Sequence, residues 1–311
     1  MNTLFIHLSP PHQQFSIFYS AAFVAAVLVL IWEGRKRKFP VLPWLLIIIF
    51  SQILFITGTK LFALTGEEWR LMLENLELVP AAKKELTGGI LLLVGGIWLG
   101  KRWLKFRYPV ADAFALAIPF GLFLQKWGCF FAGCCFGKLS DLPWAVQYPV
   151  MTLPHYQHFQ QGIIGAGQSL SLPVHPVQLY EGIGTLLIVF LVWHFGKRWK
   201  YQGSSMLFSL SCYLFLRFLV EFLKDPLAHT TGGNSIGPMN LTQWIILILL
   251  PVLVFLLFFR ENYKKPLTLA AAPTLPSHLN IFAFFSFSVL IFAGLSQWFT
   301  PVERLVLFLI F

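Results

Sequence analysis

The amino-acid sequence predicts an all-α, polytopic integral membrane protein, on three observations. The 311-residue chain is 57% hydrophobic and only 12% charged, whereas soluble domains are about half apolar and about a quarter charged. Eight apolar runs approach or exceed the ~20 residues that a helix needs to cross a bilayer. Lys and Arg residues cluster in every second connection between these runs, which is the pattern expected of cytoplasmic loops.

Each apolar run is interpreted as one membrane helix, although the third run is short and rich in glycine. Residues 1–13 contain no Lys or Arg, and no small-residue cleavage site follows the first run. We therefore expect the first helix to be retained rather than removed as a signal peptide. The eight predicted spans cover residues 14–33, 41–63, 86–100, 110–126, 176–196, 204–223, 241–259 and 280–299.

The positive charges predict that both termini lie outside the cytoplasm. Basic clusters follow the first, third, fifth and seventh runs, whereas the connection 64–85 is acidic on balance and 127–175 holds Lys138 as its only Lys or Arg. The net charge of +10 is interpreted as a topological signal and an attraction to anionic lipid, so no nucleic-acid partner is expected. The clusters are Arg35, Lys36, Arg37 and Lys38, then Lys101, Arg102, Lys105 and Arg107, then Lys197, Arg198 and Lys200, and finally Arg260, Lys264 and Lys265.

The chain is predicted to form one helical membrane domain over residues 1–263, followed by a linker and an additional C-terminal helix. The linker, 264–279, has the sequence KKPLTLAAAPTLPSHL, which is rich in Pro and Ala and lacks a helical apolar stripe. Residues 280–311 comprise the eighth helix, which Thr300-Pro301 is expected to end, and a short apolar tail that suits the membrane interface.

Few ionisable side chains fall inside the predicted spans, and such residues are costly in lipid and usually functional. Near the end of the sixth span Arg217, Glu221 and Lys224 are spaced by four and three residues, so they share one helix face. One interpretation is a structural ion pair, with Lys224 extending toward water. Lys126 ends the fourth run at the same predicted outer level. Because Arg and Lys both bind phosphate, the other interpretation is that Lys126 and Arg217 hold a phospholipid head group.

The fifth run begins with residues that are unusually polar for a membrane helix. Pro176 suits the first helical position. At a spacing of three residues His175, Gln178 and Glu181 share a face, while Tyr180 lies off it. A lone His at an interface is often structural, but the whole block HPVQLYE is more specific than a single histidine.

Five features follow one another along residues 86–260. They are Gly88-Gly89 in the third run, a basic, glycine-rich loop after the fourth, HPVQLYE (175–181), RFLVEFLKDP (217–226) and Gln243 in MNLTQW. This combination resembles the prolipoprotein diacylglyceryl transferase family, the enzymes that lipidate bacterial lipoproteins. The resemblance implies a core of seven membrane helices with an outside N-terminus, to which the eighth helix is an addition. It also implies a location in the bacterial plasma (inner) membrane.

The resemblance further implies a reaction and its partners. The diacylglyceryl group of phosphatidylglycerol would move to the thiol of a lipobox cysteine in a prolipoprotein, forming a thioether and releasing glycerol phosphate. No cofactor is expected. The acceptor thiol, with a pKa of ~8.5, must lose its proton, and the departing phosphate needs positive charge beside it.

Carried over by position, the family's essential arginine falls on Arg217, its acidic neighbour on Glu221 and its loop arginine on Lys126. Thr87 stands where the family has the histidine of its HGG motif. His175 is the candidate to act as the base instead, since an imidazole titrates near neutral pH. Further candidates for binding the substrate or shaping the cavity are Gln178, Tyr180, Gln243, Cys129, Lys138 and Thr87.

Three of the four cysteines, Cys129, Cys134 and Cys135, lie in the segment QKWGCFFAGCCFGK (125–138). Its glycines predict an irregular or re-entrant loop packed inside protein. The cysteines are interpreted as small buried side chains, as a Cys129–Cys134 disulfide, as metal ligands with His175, or as containing a nucleophile. For the nucleophile Cys134 is favoured, because it occupies the family's glutamate position beside Lys126 and a nearby cation lowers a thiol pKa.

Two other classes of function stay open on the sequence. The cysteines favour a thiol redox or metal-handling membrane protein that has kept the same scaffold. The replacement of the family's histidine by Thr87 favours a catalytically inactive, lipid-binding relative. A transferase-like enzyme is the first hypothesis.

Overall fold

The computed structural model describes residues 4–5, 11–75, 86–228, 235–263, 276–299 and 301–310. These residues are overwhelmingly helical, which confirms the predicted all-α class. The helices are α1 (Pro11–Lys36), α2 (Val41–Leu61), α3 (Gly66–Asn75), α4 (Leu86–Trp103), α5 (Ala111–Ala132), α6 (Leu153–Gln160), α7 (Val177–Phe195), α8 (Ser204–Glu221), α9 (Leu241–Tyr263), α10 (His278–Gly294) and α11 (Pro301–Ile310). Short 3₁₀ turns cover Gly196–Arg198, Pro226–Ala228 and Ser296–Trp298.

Two small two-stranded sheets complete the described structure. Strand β1 (Leu4–Phe5) pairs in parallel with β2 (Val146–Gln147), and β3 (Ser235–Ile236) pairs antiparallel with β4 (Met239–Asn240). Each strand has two residues, so the sheets connect loops and do not form a layer of their own.

All eight predicted spans overlap helices. Among the described residues, α1, α2, α5, α7, α8 and α9 are long and apolar enough to cross a membrane, which makes the chain a polytopic membrane protein. The eighth predicted span forms α10, which has only 17 residues. At 1.5 Å per residue this helix is ~26 Å long, shorter than the ~30 Å hydrocarbon core.

Three short helices, α3, α6 and α11, lie outside the predicted spans. The prediction that Thr300-Pro301 ends the eighth helix is wrong, because α10 already ends at Gly294 and Pro301 begins α11. Proline suits the first position of a helix, where its missing N–H group is not needed.

The chain divides into two compact units. The first comprises residues 1–29 and 109–266, and the second comprises residues 30–108 and 267–311. Residues 264–275, most of the predicted linker, lie outside the described residues. The division at 263 and 280 that the sequence suggested therefore stays a prediction.

In the second unit, α2 and α4 approach each other closely through glycines. A methyl group on Gly58 would lie 2.3 Å from the carbonyl oxygen of Gly88, so the backbones touch at a distance that only glycine permits. Helix α10 adds Phe284, whose ring centroid lies 4.9 Å from that of Phe50 and 5.5 Å from that of Trp103. The glycines of the third run thus serve close helix packing.

In the first unit, α5 packs against α7 and α8, and α8 packs against α9. The Asp112 carboxylate of α5 accepts hydrogen bonds from the backbone N–H groups of Gly203 (2.7 Å) and Met206 (3.2 Å) at the start of α8. Glu261 of α9 accepts a hydrogen bond of 2.5 Å from Ser204. These bonds satisfy free N–H groups at a helix start and join three helices at the predicted cytoplasmic end.

The connection 138–175 is an ordered part of the first unit. Tyr148 is 1% exposed and lies in an apolar cluster with Phe130, Phe136, Val146 and Val174. His158 is also buried and accepts a hydrogen bond of 3.2 Å from the backbone N–H of Leu172. By contrast, Trp144 and Tyr156 are about half exposed. Only some of the aromatic side chains in this connection therefore face outward.

Candidate active site

The predicted site residues gather at one end of the first unit. Lys126 lies near the C-terminal end of α5, Glu181 in the first turns of α7, and Arg217 and Glu221 in the last turns of α8. The basic clusters of the same unit lie at the opposite end of these helices. The site is therefore at the end that the charge pattern predicts to face outside.

The expected helix boundary at Lys126 is wrong. Helix α5 continues to Ala132, and the chain leaves the helix only at Gly133, whose left-handed φ of 72° forms the helix cap. Gly128 is helical and lies against α1, where a methyl group would be 3.0 Å from the Cβ of Phe18. Half of the glycine-rich segment is thus closely packed helix, and Lys126 and Cys129 are helical residues.

Glu181 lies between the two cations. Its carboxylate pairs with the ammonium group of Lys126 through one oxygen and with the guanidinium group of Arg217 through the other. Arg217 also pairs with Glu221 at 3.1 Å, which confirms the predicted pair along α8. The two cations converge as the sequence suggested, but the anion that joins them here belongs to the protein.

The more exposed side chains of this cluster are the cationic ones. The side chains of Arg217 and Lys126 are 18% and 10% exposed, whereas those of Glu181 and Glu221 are 1% and 0% exposed. The almost fully buried carboxylates therefore hold the partly exposed cations in place. Of the four side chains, that of Arg217 is the most exposed to an approaching anion.

Lys224 supplies a third buried cation, which was not among the site residues predicted from the sequence. It is 5% exposed, so it does not extend toward water as one interpretation held. Burial and the nearby Arg217 lower its pKa. Within the described residues, its ammonium group forms no hydrogen bond or ion pair. Its spacing from Arg217 could have identified it as a site residue, since residues seven apart, about two helical turns, lie on the same helix face.

Gln243 and Asn240 secure α9 to the cluster. The Asn240 side chain accepts a hydrogen bond of 2.9 Å from the N–H of Gln243, and the Gln243 side chain accepts one of 3.0 Å from the N–H of Asn240. This reciprocal pair is a capping box. Asn240 also donates to Glu221 at 3.1 Å. Gln243 was predicted to bind substrate, and the structure shows it capping a helix.

The loop after α5 is fixed to the neighbouring helices by backbone atoms. Gln178 of α7 donates a hydrogen bond of 2.7 Å to the Cys134 carbonyl, and the N–H of Asp225 donates one of 3.2 Å to the Phe136 carbonyl. The N–H of Gly137 donates to the His175 carbonyl at 3.1 Å. A methyl group on Gly137 would lie 2.6 Å from the Cβ of His175, so glycine is required here.

The three cysteines of this segment form one cluster of free thiols. Cys134 donates a weak hydrogen bond of 3.7 Å to the Cys129 carbonyl. The neighbouring Cys129 and Cys134 thiols, together with Lys126 and Lys224, hold the pKa of Cys135 well below its usual range. The same thiol contacts and burial raise the pKa of Cys134. The role that the sequence suggested for Cys134 stays a prediction.

The redox and metal alternatives gain no support from the described residues. All four cysteines are free, including Cys129 and Cys134. In that part of the chain, no group of three His, Cys, Asp or Glu side chains is arranged to hold a metal ion. Cys129 is buried and Cys134 and Cys135 are partly buried, in agreement with the packing interpretation. They also lie close to the buried cations Lys126 and Lys224.

His175 lies beside the cysteine loop and contacts Tyr180. Its Nδ1 is 3.5 Å from the Tyr180 hydroxyl, which accepts a hydrogen bond of 2.7 Å from Trp144. Burial and the exposed Lys138 lower the pKa of His175, which favours its neutral imidazole. Thr87 is in α4 of the second unit, and its side chain lies outside the described residues.

The fold and this site define a polytopic membrane protein with an ion-paired, thiol-rich polar site at one end of a helical unit. The family model of prolipoprotein diacylglyceryl transferase matches residues 4–259. The chain belongs to this family, which confirms the resemblance noted in the sequence.

Curated relatives support the same assignment. A protein of Bordetella avium is 33% identical over 187 residues, which are 58% of this chain and 61% of that protein. One of Idiomarina loihiensis is 31% identical over 183 residues, 58% of this chain and 60% of that protein. One of Polynucleobacter asymbioticus is 26% identical over 254 residues, 78% of this chain and 89% of that protein. All three are named phosphatidylglycerol–prolipoprotein diacylglyceryl transferase. The chain spans about three fifths of the length of the first two.

Proposed function

We propose that this protein transfers the diacylglyceryl group of phosphatidylglycerol to the cysteine thiol of a prolipoprotein, forming a thioether and releasing glycerol phosphate. Family membership and the names of the relatives support this reaction. The observation that carries it in this chain is the convergence of Lys126 and Arg217 on one carboxylate, with the buried Lys224 as a third cation near Arg217.

The cluster suits the phosphate of the donor lipid. An Arg side chain has five N–H donors in a planar fork, and only part of this capacity is used by Glu181 and Glu221. Lys224 adds a desolvated ammonium group with no carboxylate partner among the described residues. Three cations face two carboxylates, so the cluster has one excess positive charge that a phosphodiester would neutralise.

The same arrangement suits the departing phosphate. As the bond from carbon to phosphate oxygen breaks, negative charge grows on the phosphate and its attraction to fixed cations increases. Glu181 and Glu221 act as positioning residues, because they pair with Lys126 and Arg217 and are themselves almost fully buried. Gln178 holds the adjoining loop through the Cys134 carbonyl.

The orientation predicted by the charges is consistent with this reaction. The site would lie at the outer face of the bacterial plasma (inner) membrane, where a prolipoprotein presents its lipobox cysteine after translocation. Tyr180, which accepts a hydrogen bond of 2.7 Å from Trp144, directly precedes Glu181 in the first turns of α7.

A transfer assay tests the proposed function. The purified protein is placed in phosphatidylglycerol membranes with a synthetic lipobox peptide, and mass spectrometry follows the diacylglyceryl increment on the peptide cysteine. We expect transfer by the wild type and a loss of at least ~100-fold for Arg217→Ala, since removing one charge-stabilising donor costs about this much. Arg198→Ala changes an exposed arginine at the opposite end and should retain transfer.

Two results would contradict the proposal. One is the absence of a diacylglyceryl increment with the wild type under every phospholipid tested, which would instead support an inactive relative. The other is full transfer by Arg217→Ala when circular dichroism shows that both variants are equally folded.

A further inference from the structure

The geometry around Cys135 points to a reactive group that the reaction outlined above has not used. The residue lies between two anchored peptide carbonyls, because Gln178 holds the Cys134 carbonyl and the N–H of Asp225 holds the Phe136 carbonyl. A backbone bridge between Gly137 and Lys224 fixes the loop on the same side. Cys135 is thus held between the start of α7 and the end of α8.

Its backbone conformation is also unusual. Cys135 has a φ of 58°, in the left-handed region that residues with a side chain rarely adopt. Such conformations persist where the surroundings fix them, and they concentrate at functional sites. The hydrogen bonds on both sides of Cys135 supply that constraint.

The charges that face Cys135 come from three helices and the loop itself. Its titratable neighbours are Lys126 and Cys129 of α5, Cys134, Tyr148, Glu181 of α7, Tyr213 of α8, and Lys224. The two lysines and the two neighbouring thiols stabilise a negative sulfur, whereas Glu181 opposes it. The cluster has one excess positive charge, which a Cys135 thiolate would balance until the donor phosphate binds.

We propose that the Cys135 thiolate accepts the proton of the acceptor thiol. This inference rests on the proposed transferase function. It assigns to Cys135, rather than to His175, the proton transfer for which Thr87 offers no basic group. A general base must be negatively charged or neutral and close to the reacting atoms, and Cys135 borders the cations that would hold the donor phosphate.

The chemical step balances without any further reactant. The S–H bond of the acceptor cysteine breaks, and its proton passes to the Sγ of Cys135. The electron pair left on the acceptor sulfur forms the new bond to the glyceryl carbon of the lipid. The bond from that carbon to the phosphate oxygen breaks, and its electrons leave with glycerol phosphate. The Cys135 thiol then returns its proton to water.

Donor binding strengthens this base. A phosphate anion and the Cys135 thiolate would both be stabilised by Lys126 and Lys224. When the phosphate arrives, these cations are shared and a second negative charge lies nearby, so the proton affinity of Cys135 rises. Proton transfer from the acceptor is thereby favoured after the donor has bound.

The pH dependence of transfer tests the inference, in the same membranes and with the same peptide. Wild-type transfer should vary little with pH between about 7 and 8.5. Cys135→Ser should transfer at least ~100-fold more slowly at pH 7, the usual contribution of a general base. Its rate should then rise about tenfold per pH unit toward pH ~8.5, because the acceptor thiol now has to ionise without help.

Two further variants serve as controls. Cys212→Ser changes the chain's fourth cysteine, which lies in α8 away from the cluster, and should keep the wild-type rate and pH profile. Cys135→Ala should reproduce the Cys135→Ser profile. Alkylation by iodoacetamide at pH 6.5 gives a readout independent of transfer, and peptide mapping should find Cys135 labelled before Cys134.

The outcomes separate this inference from the proposed function. If the wild type performs no transfer, both are overturned. If the wild type transfers and Cys135→Ser matches it at every pH, only the role of Cys135 is overturned. It is likewise overturned if Cys134→Ser shows the pH-dependent loss and Cys135→Ser does not, or if Cys134 is alkylated first.

Discussion

At the scale of single residues, Glu181 organises the site. The sequence placed it on the same face as Gln178 but gave it no role beyond that position. In the folded chain its two carboxylate oxygens join Lys126 of α5 to Arg217 of α8. A sequence identifies ionisable residues inside apolar runs, but it does not specify which helix faces meet, and the role of Glu181 depends on that packing.

Removing the charge of Glu181 should destabilise the first unit. Glu181→Gln leaves two buried cations without their shared counter-ion, and breaking a buried pair costs about 3 kcal/mol or more. We expect a lower thermal unfolding midpoint in detergent, followed by tryptophan fluorescence. Glu67→Gln changes a carboxylate whose side chain is 76% exposed and should leave the midpoint within experimental error. An unchanged midpoint for Glu181→Gln would show that Glu181 does not hold the cations.

The sequence predicted the positions and roles of some site residues better than those of others. Arg217, Glu221 and Lys126 stand out because charge inside a membrane span is rare, and all three lie in the observed cluster. Gln243 was assigned to substrate binding, but the pattern Asn-Leu-Thr-Gln before an apolar run also predicts a capping box. Lys224 was known to share the face of Arg217, but its burial depends on the loop 133–138, which the sequence does not place.

At the scale of elements, the lengths of the apolar runs predicted the long helices well. They did not predict the short helices in the connections. Helices α3 and α6 are short and partly polar, so no long apolar run marks them. Helix α5 was expected to end at Lys126, yet it extends to Ala132 because Gly128 lies against α1 and favours close packing over a break. Glycine breaks a helix less readily where another helix packs against it.

The connection of α5 to the start of α8 gives a prediction at this scale. Asp112→Ala removes an acceptor for two N–H groups of α8, and losing such a cap costs about 1 kcal/mol. The variant should unfold at a slightly lower temperature than the wild type but retain transfer, since Asp112 is far along α5 from Lys126. Asp141→Ala changes an exposed carboxylate and should have no effect. Loss of transfer by the folded Asp112→Ala variant would show that the Asp112 end of α5 affects the site at its Lys126 end, which would contradict this account.

At the scale of the whole molecule, composition and charge pattern predicted an all-α membrane protein, and the helices confirm it. The two compact units were not predicted, because their boundaries at residues 29 and 109 fall within or beside helices rather than in a polar linker. Domain boundaries are usually recognised by a change to a polar linker. A membrane chain is apolar on both sides of such a boundary, so its composition does not reveal it.

The central claim is that buried cations at the outer end bind the phosphate of the donor lipid. Native mass spectrometry of the purified protein with equal amounts of phosphatidylglycerol and diacylglycerol tests this most directly, because the two lipids differ by the phosphate-containing head group. We expect the wild type and the control Lys197→Met, at an exposed lysine of the opposite end, to retain phosphatidylglycerol preferentially, and Lys224→Met to lose most of that preference. Equal retention of both lipids by the wild type, or an unchanged preference in Lys224→Met, would contradict the account.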